Sequence, residues 1–156
     1  MKKICLLLIA AFISFFLLQP KGQTGNRDDQ YFQLYEKAEA YFNGSADEYT
    51  DSVALSYYLQ FAQHVKPSHE NALWLYNCHE RMGILMQGLG YTSQESLQEF
   101  YTSLQFWQQY QLPDSVLFRL LLSAGNAHYA EGLLDSSAYY FSRAEKIILH
   151  YPDAGL

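Results

Sequence analysis

Cysteine is nearly missing from this chain. Two occur in 156 residues, Cys5 and Cys78. Cys5 lies in an N-terminal apolar run, so a processed chain would keep one thiol. One thiol makes no internal disulfide, and packing must hold the fold together. Proline is scarce too, with four residues at positions 20, 67, 113 and 152. Positive charge is the third shortage. Ten Lys and Arg stand against sixteen Asp and Glu, net −6. Such a chain lacks the clustered bases that neutralise phosphate, which argues against nucleic acid as a partner. An anionic membrane surface is disfavoured for the same reason. No run alternates apolar and polar residues between turn signals, so no sheet is expected.

Catalytic and metal-binding patterns are also lacking. Cys78-His79-Glu80 invites a thiol mechanism, but neighbours on a helix point about 100° apart and do not face each other. A buried core thiol is the expectation for Cys78. Of the histidines at 64, 69, 79, 128 and 150, no two stand four apart on one helix. There is no His-Glu-x-x-His, Gly-rich phosphate loop or Gly-x-Ser-x-Gly. Gly88-Leu-Gly90 reads as a turn. The Asp-Ser pairs at 51–52, 114–115 and 135–136 read as helix caps. No catalytic residue, metal ligand or cofactor is expected, and the chain is not expected to be an enzyme.

What is present begins with an export signal. Lys2 and Lys3 precede an apolar run of fifteen, Ile4 to Leu18, and a polar break with Pro20 and Gly22 follows. This pattern predicts a signal peptide over 1–22, cleaved near Gly22–Gln23. The alternative is an uncleaved N-terminal anchor. Cleavage removes three lysines and no acid, leaving seven basic and sixteen acidic residues, net −9. The expected location is outside the cytoplasm, periplasmic or secreted. Residues 23–28 read as a flexible leader, 29–152 as a helical domain, and 153–156 as a tail where a longer protein continues in one reading.

Within 29–152, apolar residues recur every three or four positions, which predicts helices. The first spans Asp29–Asn43 and ends at Gly44. Ser45 and Glu48 form a capping box for the second, which runs to about Val65 before Lys66-Pro67. Ser68 caps the third, closed by Gly88-Leu-Gly90. Thr92 and Glu95 form a box for the fourth, closed by Leu112-Pro113. Asp114 caps the fifth, Gly132 ends it, and Asp135 caps the sixth, which reaches His150. Short Gly-containing turns pair the six helices into three hairpins.

The hairpins resemble one another. Gly83 and Gly125 are 42 residues apart, and Tyr58, Phe100 and Phe141 are 42 and then 41 apart. A fixed period in this range marks a helical solenoid. In the third hairpin Leu121, Ala124, Gly125, Gly132, Ser137, Phe141 and Ala144 fall at the offsets of the tetratricopeptide repeat, which the chain resembles. His128 stands where that family usually has Tyr. The second hairpin matches through Met82, Gly83, Gly90, Ser96, Phe100 and Ser103 with one residue inserted. The first matches through Leu34, Ala38, Tyr41, Ala54 and Tyr58 with a longer insertion. The spacing is similar to the long-helix, 42-residue variety.

The resemblance implies an all-α, right-handed superhelix of about three hairpins, whose concave groove binds an extended peptide or helix of a protein partner. By position, the groove residues it implies are Tyr35, Glu39 and Phe42, then Asn77, Glu80, Ile84 and Gln87, then Arg119, Leu122, Asn126 and Tyr129. Tyr35 and Glu39 stand where carboxylate-clamping members carry Lys and Asn, so that clamp is not expected. Two other functions stay open. The chain reads alternatively as the N-terminal adaptor of a longer enzyme or signalling protein, such as a CHAT-type protease or a histidine kinase, because Ile147, Ile148 and Leu149 look uncovered. It reads alternatively as a glycan or small-molecule binder that stacks ligands on its 14 tyrosines and two tryptophans. Mass spectrometry of the chain recovered outside the cytoplasm checks the export reading: it should begin at or near Gln23, whereas retention of Met1 indicates an anchor.

Overall fold

The computed structural model describes residues 27–44 and 46–155. The chain divides into two compact units, 1–30 and 31–156. The first is described only over 27–30, the opening turn of a helix. The expected signal peptide, Ser45 and the last residue of the tail lie outside the described residues.

The described residues are all-helical, with no strand. Six α-helices run as α1 Arg27–Phe42, α2 Glu48–His64, α3 Ala72–Gly88, α4 Ser93–Tyr110, α5 Leu117–Ala130 and α6 Leu134–His150. Single 3-10 turns cover Asp114–Val116 and Pro152–Gly155. From α2 onward each helix packs on the next, and α3 also touches α5. In the first hairpin Tyr35 of α1 sets its ring edge-on to Tyr58 and Phe61 of α2.

The turn chemistry explains the hairpins. Gly90 takes φ +78° and Gly132 takes φ +74°. After α3, Tyr91 N donates to Met86 O at 2.9 Å and Gly90 N to Gln87 O at 3.3 Å. After α5, Leu133 N donates to His128 O and Gly132 N to Tyr129 O, both at 2.9 Å. These are two Schellman closures, 42 residues apart, and a side chain at either glycine would strain the left-handed backbone. The Thr92–Glu95 box forms as expected, with Glu95 N donating to Thr92 Oγ1 at 3.3 Å and Thr92 N to Glu95 Oε2 at 2.9 Å.

Other starts differ from the sequence reading. Helix α1 begins at Arg27, two residues inside the expected leader. Helix α2 is capped by Asp47, whose carboxylate accepts from Thr50 N at 2.9 Å. Ser68 does not cap α3. Asn71 precedes it, and its side chain accepts from Ser68 N and donates to Lys66 O, both at 2.8 Å, which ties the Pro67 loop instead. Asp114 opens the 3-10 turn ahead of α5, and Asp135 lies within the first turn of α6, where a negative charge suits the helix dipole.

Two glycines set the depth of packing inside the hairpins. A Cβ on Gly83 would lie 2.4 Å from Phe100 Cε1, and one on Gly125 would lie 2.5 Å from Phe141 Cε1. Each ring rests on the facing helix backbone. Small residues beside the rings let the helices close: Ser96, Ser103, Ser137 and Ala144 are all buried. Ser103 Oγ donates to Tyr76 O at 2.9 Å, so its hydroxyl is satisfied.

Two clusters make the core. Tyr35, Ala38, Leu55, Tyr58 and Phe61 meet Leu75, Cys78, Met82 and Leu85. Tyr76, Leu97 and Phe100 meet Leu117, Leu120, Leu121 and Ala124. Helix α3 contributes fully buried residues to both and is buried on two sides. Cys78 is buried as expected; burial pushes its thiol well up, and Sγ contacts Tyr58 O at 3.3 Å. Ile147 and Ile148 are half-buried, Ile147 against the second cluster, and Leu149 is 74% exposed. None of the described helices is long and apolar enough to cross a membrane.

Gly83→Ala should lower stability by ~1–3 kcal/mol, because the methyl must displace the Phe100 ring. Pairing it with Phe100→Leu should cost less than the sum of the two changes. Urea unfolding of the four members of that cycle measures both.

Candidate functional site: the first-helix face

The first helices of the hairpins, α1, α3 and α5, are joined by two ion pairs. Arg81 Nε on α3 donates to Glu39 Oε1 on α1 at 2.5 Å. Arg119 Nη2 on α5 donates to Glu80 Oε2 on α3 at 3.2 Å. The partners are 42 and 39 residues apart, close to the repeat spacing. Each pair therefore ties one hairpin to the next.

The two pairs differ in quality. Glu39 Oε1 also accepts from Tyr58 OH at 2.6 Å, and the Arg81 guanidinium lies 4.6 Å from the Phe42 ring centroid. Burial pushes the Glu39 carboxyl up, but the Tyr58 hydroxyl and the Arg81 charge outweigh it and leave its pKa below the usual value. Burial raises the Tyr58 phenol strongly, and the Glu39 charge adds to that. This site is saturated with charge-assisted hydrogen bonds. Glu80 is fully buried, yet Arg119 is 51% exposed and supplies a single bond. Glu80 Oε1 has no partner. Burial raises the Glu80 pKa, and the charges of Arg119 and Arg81 offset this only in part.

The eleven residues expected to line a groove fall into three groups. Tyr35 is buried, packed edge-on against Trp74 at 4.8 Å, and supports the aromatic core. Glu39 and Phe42 are half-buried and engaged with Arg81. In the middle, Asn77, Ile84 and Gln87 are half-buried beside buried Glu80. Toward the last hairpin Leu122 is half-buried while Arg119, Asn126 and Tyr129 are exposed, Tyr129 to 65%. The structure thus brings together Tyr35, Glu39 and Phe42, and separately Glu80 with Arg119. The α1 end is occupied by its own side chains, and the α5 end is open.

Sequence reasoning missed Arg81 and the hydroxyl role of Tyr58. The signal for Arg81 was its distance of one repeat from Glu39. It also missed two surface grooves that repeat. One, about 410 Å³, lies between α2 and the turn after α3, lined by Leu55, Leu59, Leu89 and Tyr91 among others. Its counterpart, about 310 Å³, lies between α4 and the turn after α5, lined by Leu97, Tyr101 and Leu133 among others.

His128, in the usual Tyr position of the resemblance, bridges three helices. Its Nε2 hydrogen-bonds Tyr101 OH of α4 at 2.9 Å, and its ring stacks on Tyr140 of α6 at 5.1 Å. Its Nδ1 is buried without a partner. Burial lowers the His128 pKa, and burial pushes the Tyr140 phenol up to about 12. His79 stacks on Phe106 at 5.6 Å and hydrogen-bonds Glu99 Oε2 at 2.6 Å, away from any thiol chemistry. Among the described residues, no three His, Cys, Asp or Glu side chains gather to hold a metal ion. Comparison with known proteins returned no matching family model, no matching curated protein and no matching solved structure.

Two outcomes follow from these contacts. Arg81→Ala should destabilise the protein by roughly 1.5–3 kcal/mol, since it strips a charged hydrogen bond from a half-buried carboxylate; chemical denaturation measures this. His128 has a lowered folded pKa, so the unfolded chain takes up its proton first. Its contribution is intact above the ordinary value of 6.5 and is lost as pH falls through the lowered folded value. Melting temperature against pH should show this fall in the wild type and a smaller one in His128→Phe.

Proposed function

We propose that the chain is a tetratricopeptide-like scaffold that works outside the cytoplasm and binds a peptide or helix of a protein partner on its first-helix face. The observation that carries this reading is the repetition of one packing unit. Gly83 under Phe100 and Gly125 under Phe141 have the same geometry, and the Schellman closures at Gly90 and Gly132 repeat with them. Units that pack alike and follow one another in sequence stack into a solenoid, and stacking leaves the first helices side by side on one face. Export is supported by the sequence of residues 1–22.

The open part of that face has the composition of a binding surface rather than of plain solvent-facing helix. Ile84 and Leu122 offer half-buried apolar contacts, Tyr129 an exposed ring, and Asn126 and Arg119 exposed polar groups. An aromatic anchor beside an apolar centre is a usual carrier of binding energy. The chemistry of this site is recognition, with no reacting group required.

Peptides selected from a display library against the full-length chain test the reading. Binding should fall at least about tenfold with Leu122→Asp or Tyr129→Ala, the size of a hot-spot loss. It should hold with Gln60→Ala, an exposed residue of α2. Selected peptides that respond to Gln60 and ignore both groove changes would overturn it.

A further inference from the structure

The first-helix face already carries two internal guanidinium sites, and only one of them is complete. Arg81 is held by Glu39 at 2.5 Å, and Phe42 lies under its cationic face. Arg119 reaches Glu80 through one 3.2 Å bond while half of its own side chain stays in solvent. Glu80 meets that single bond with a fully buried carboxyl group whose second oxygen is unpartnered. A buried carboxylate left half satisfied carries an uncompensated desolvation cost. Its surroundings do not repair this. Tyr76, one turn away on α3, gives its hydroxyl to Val116 O at 2.7 Å, and Arg81 is committed to Glu39. Besides the two arginines, the charge that acts on Glu80 is that of Glu39 on α1, which is of the same sign.

Resting on the groove reading above, we propose that Glu80 is the anchor for a cationic side chain of the partner, and that Arg119 is a displaceable internal occupant of that place. The partner segment is basic, carrying an Arg or Lys beside apolar residues. The cation enters where Arg119 now lies, supplies donors to both Glu80 oxygens, and returns Arg119 to water. A guanidinium suits the place better than an ammonium, because its planar fork reaches two carboxylate oxygens at once. The apolar neighbours of the cation pack on Ile84 and Leu122. Charge complementarity favours the same occupant. The chain holds sixteen acidic residues against ten basic ones, so a basic segment is attracted from a distance and an acidic one repelled.

Calorimetric titration of the full-length chain with three capped octapeptides tests this: alternating Arg and Leu, alternating Lys and Leu, and alternating Glu and Leu. The Arg peptide should bind, the Lys peptide more weakly, and the Glu peptide not at all. Glu80→Gln, which keeps size and removes charge, should weaken the Arg peptide by at least about tenfold. Arg119→Gln, which leaves Glu80 a donor but no competing cation, should tighten it by roughly two- to fivefold, the range of a half-exposed ion pair. Thermal melts establish that both variants are folded. An Arg peptide indifferent to Glu80→Gln, or no binding by any of the three, overturns the inference. Glu-peptide binding that is lost with Leu122→Asp also overturns it, but leaves the groove reading in place. Arg-peptide binding that is lost with Glu80→Gln yet persists with Leu122→Asp supports the anchor and removes the groove as its setting.

Discussion

The close approach of a phenylalanine ring to a bare helix backbone is the contact on which the rest of the structure depends. At Gly83 and Gly125 there is no room for even a methyl group between the helices of a hairpin. That contact fixes how each hairpin closes, and the left-handed glycines at 90 and 132 fix how each one turns. Because both devices recur after 42 residues, the second and third hairpins close and turn alike. Helix α3 is then covered from two sides, by the first core cluster and by the second.

Burial of α3 on both sides has an electrostatic consequence. The stripe that carries Tyr76 and Gly83 also carries Glu80, so a carboxyl group is taken out of water with the rest. Glu39 escapes the same cost because Tyr58 and Arg81 both donate to it. The face shared by the first helices is therefore uneven. Its α1 end is a finished network of rings and charges, and its α5 end keeps exposed polar and aromatic groups above half-buried Ile84 and Leu122. The unevenness, more than any single residue, gives the proposed binding face a direction.

Much of this was legible in the sequence, for reasons that differ by element. The recurrence of Gly83 at Gly125 and of Phe100 at Phe141 was legible from spacing, but that each ring lies directly on the glycine shows only when the helices are packed. The Thr92–Glu95 box was legible because both partners sit in one local segment. Near Pro67 several polar residues compete, and Asn71 won by bonding the loop in both directions, which no local pattern dictates. Tyr35 and Glu80 were expected to line an accessible groove, yet both are buried. Periodicity says which residues share a face but not how deeply a neighbouring helix covers it. Arg81 was missed because a charged residue on a helix is taken for a solvated one until its partner, a full repeat away, is in view.

The central claim is that the chain binds its partner on the face shared by α1, α3 and α5. Mapping amide chemical-shift changes over residues 31–155 when a selected peptide is added tests it most directly. The account predicts that the largest changes fall on α3 and α5 around Glu80, Ile84, Leu122 and Asn126, with α2 and α4 largely silent. Changes centred on the grooves beside Leu59 and Tyr91, or beside Leu97 and Leu133, would contradict it.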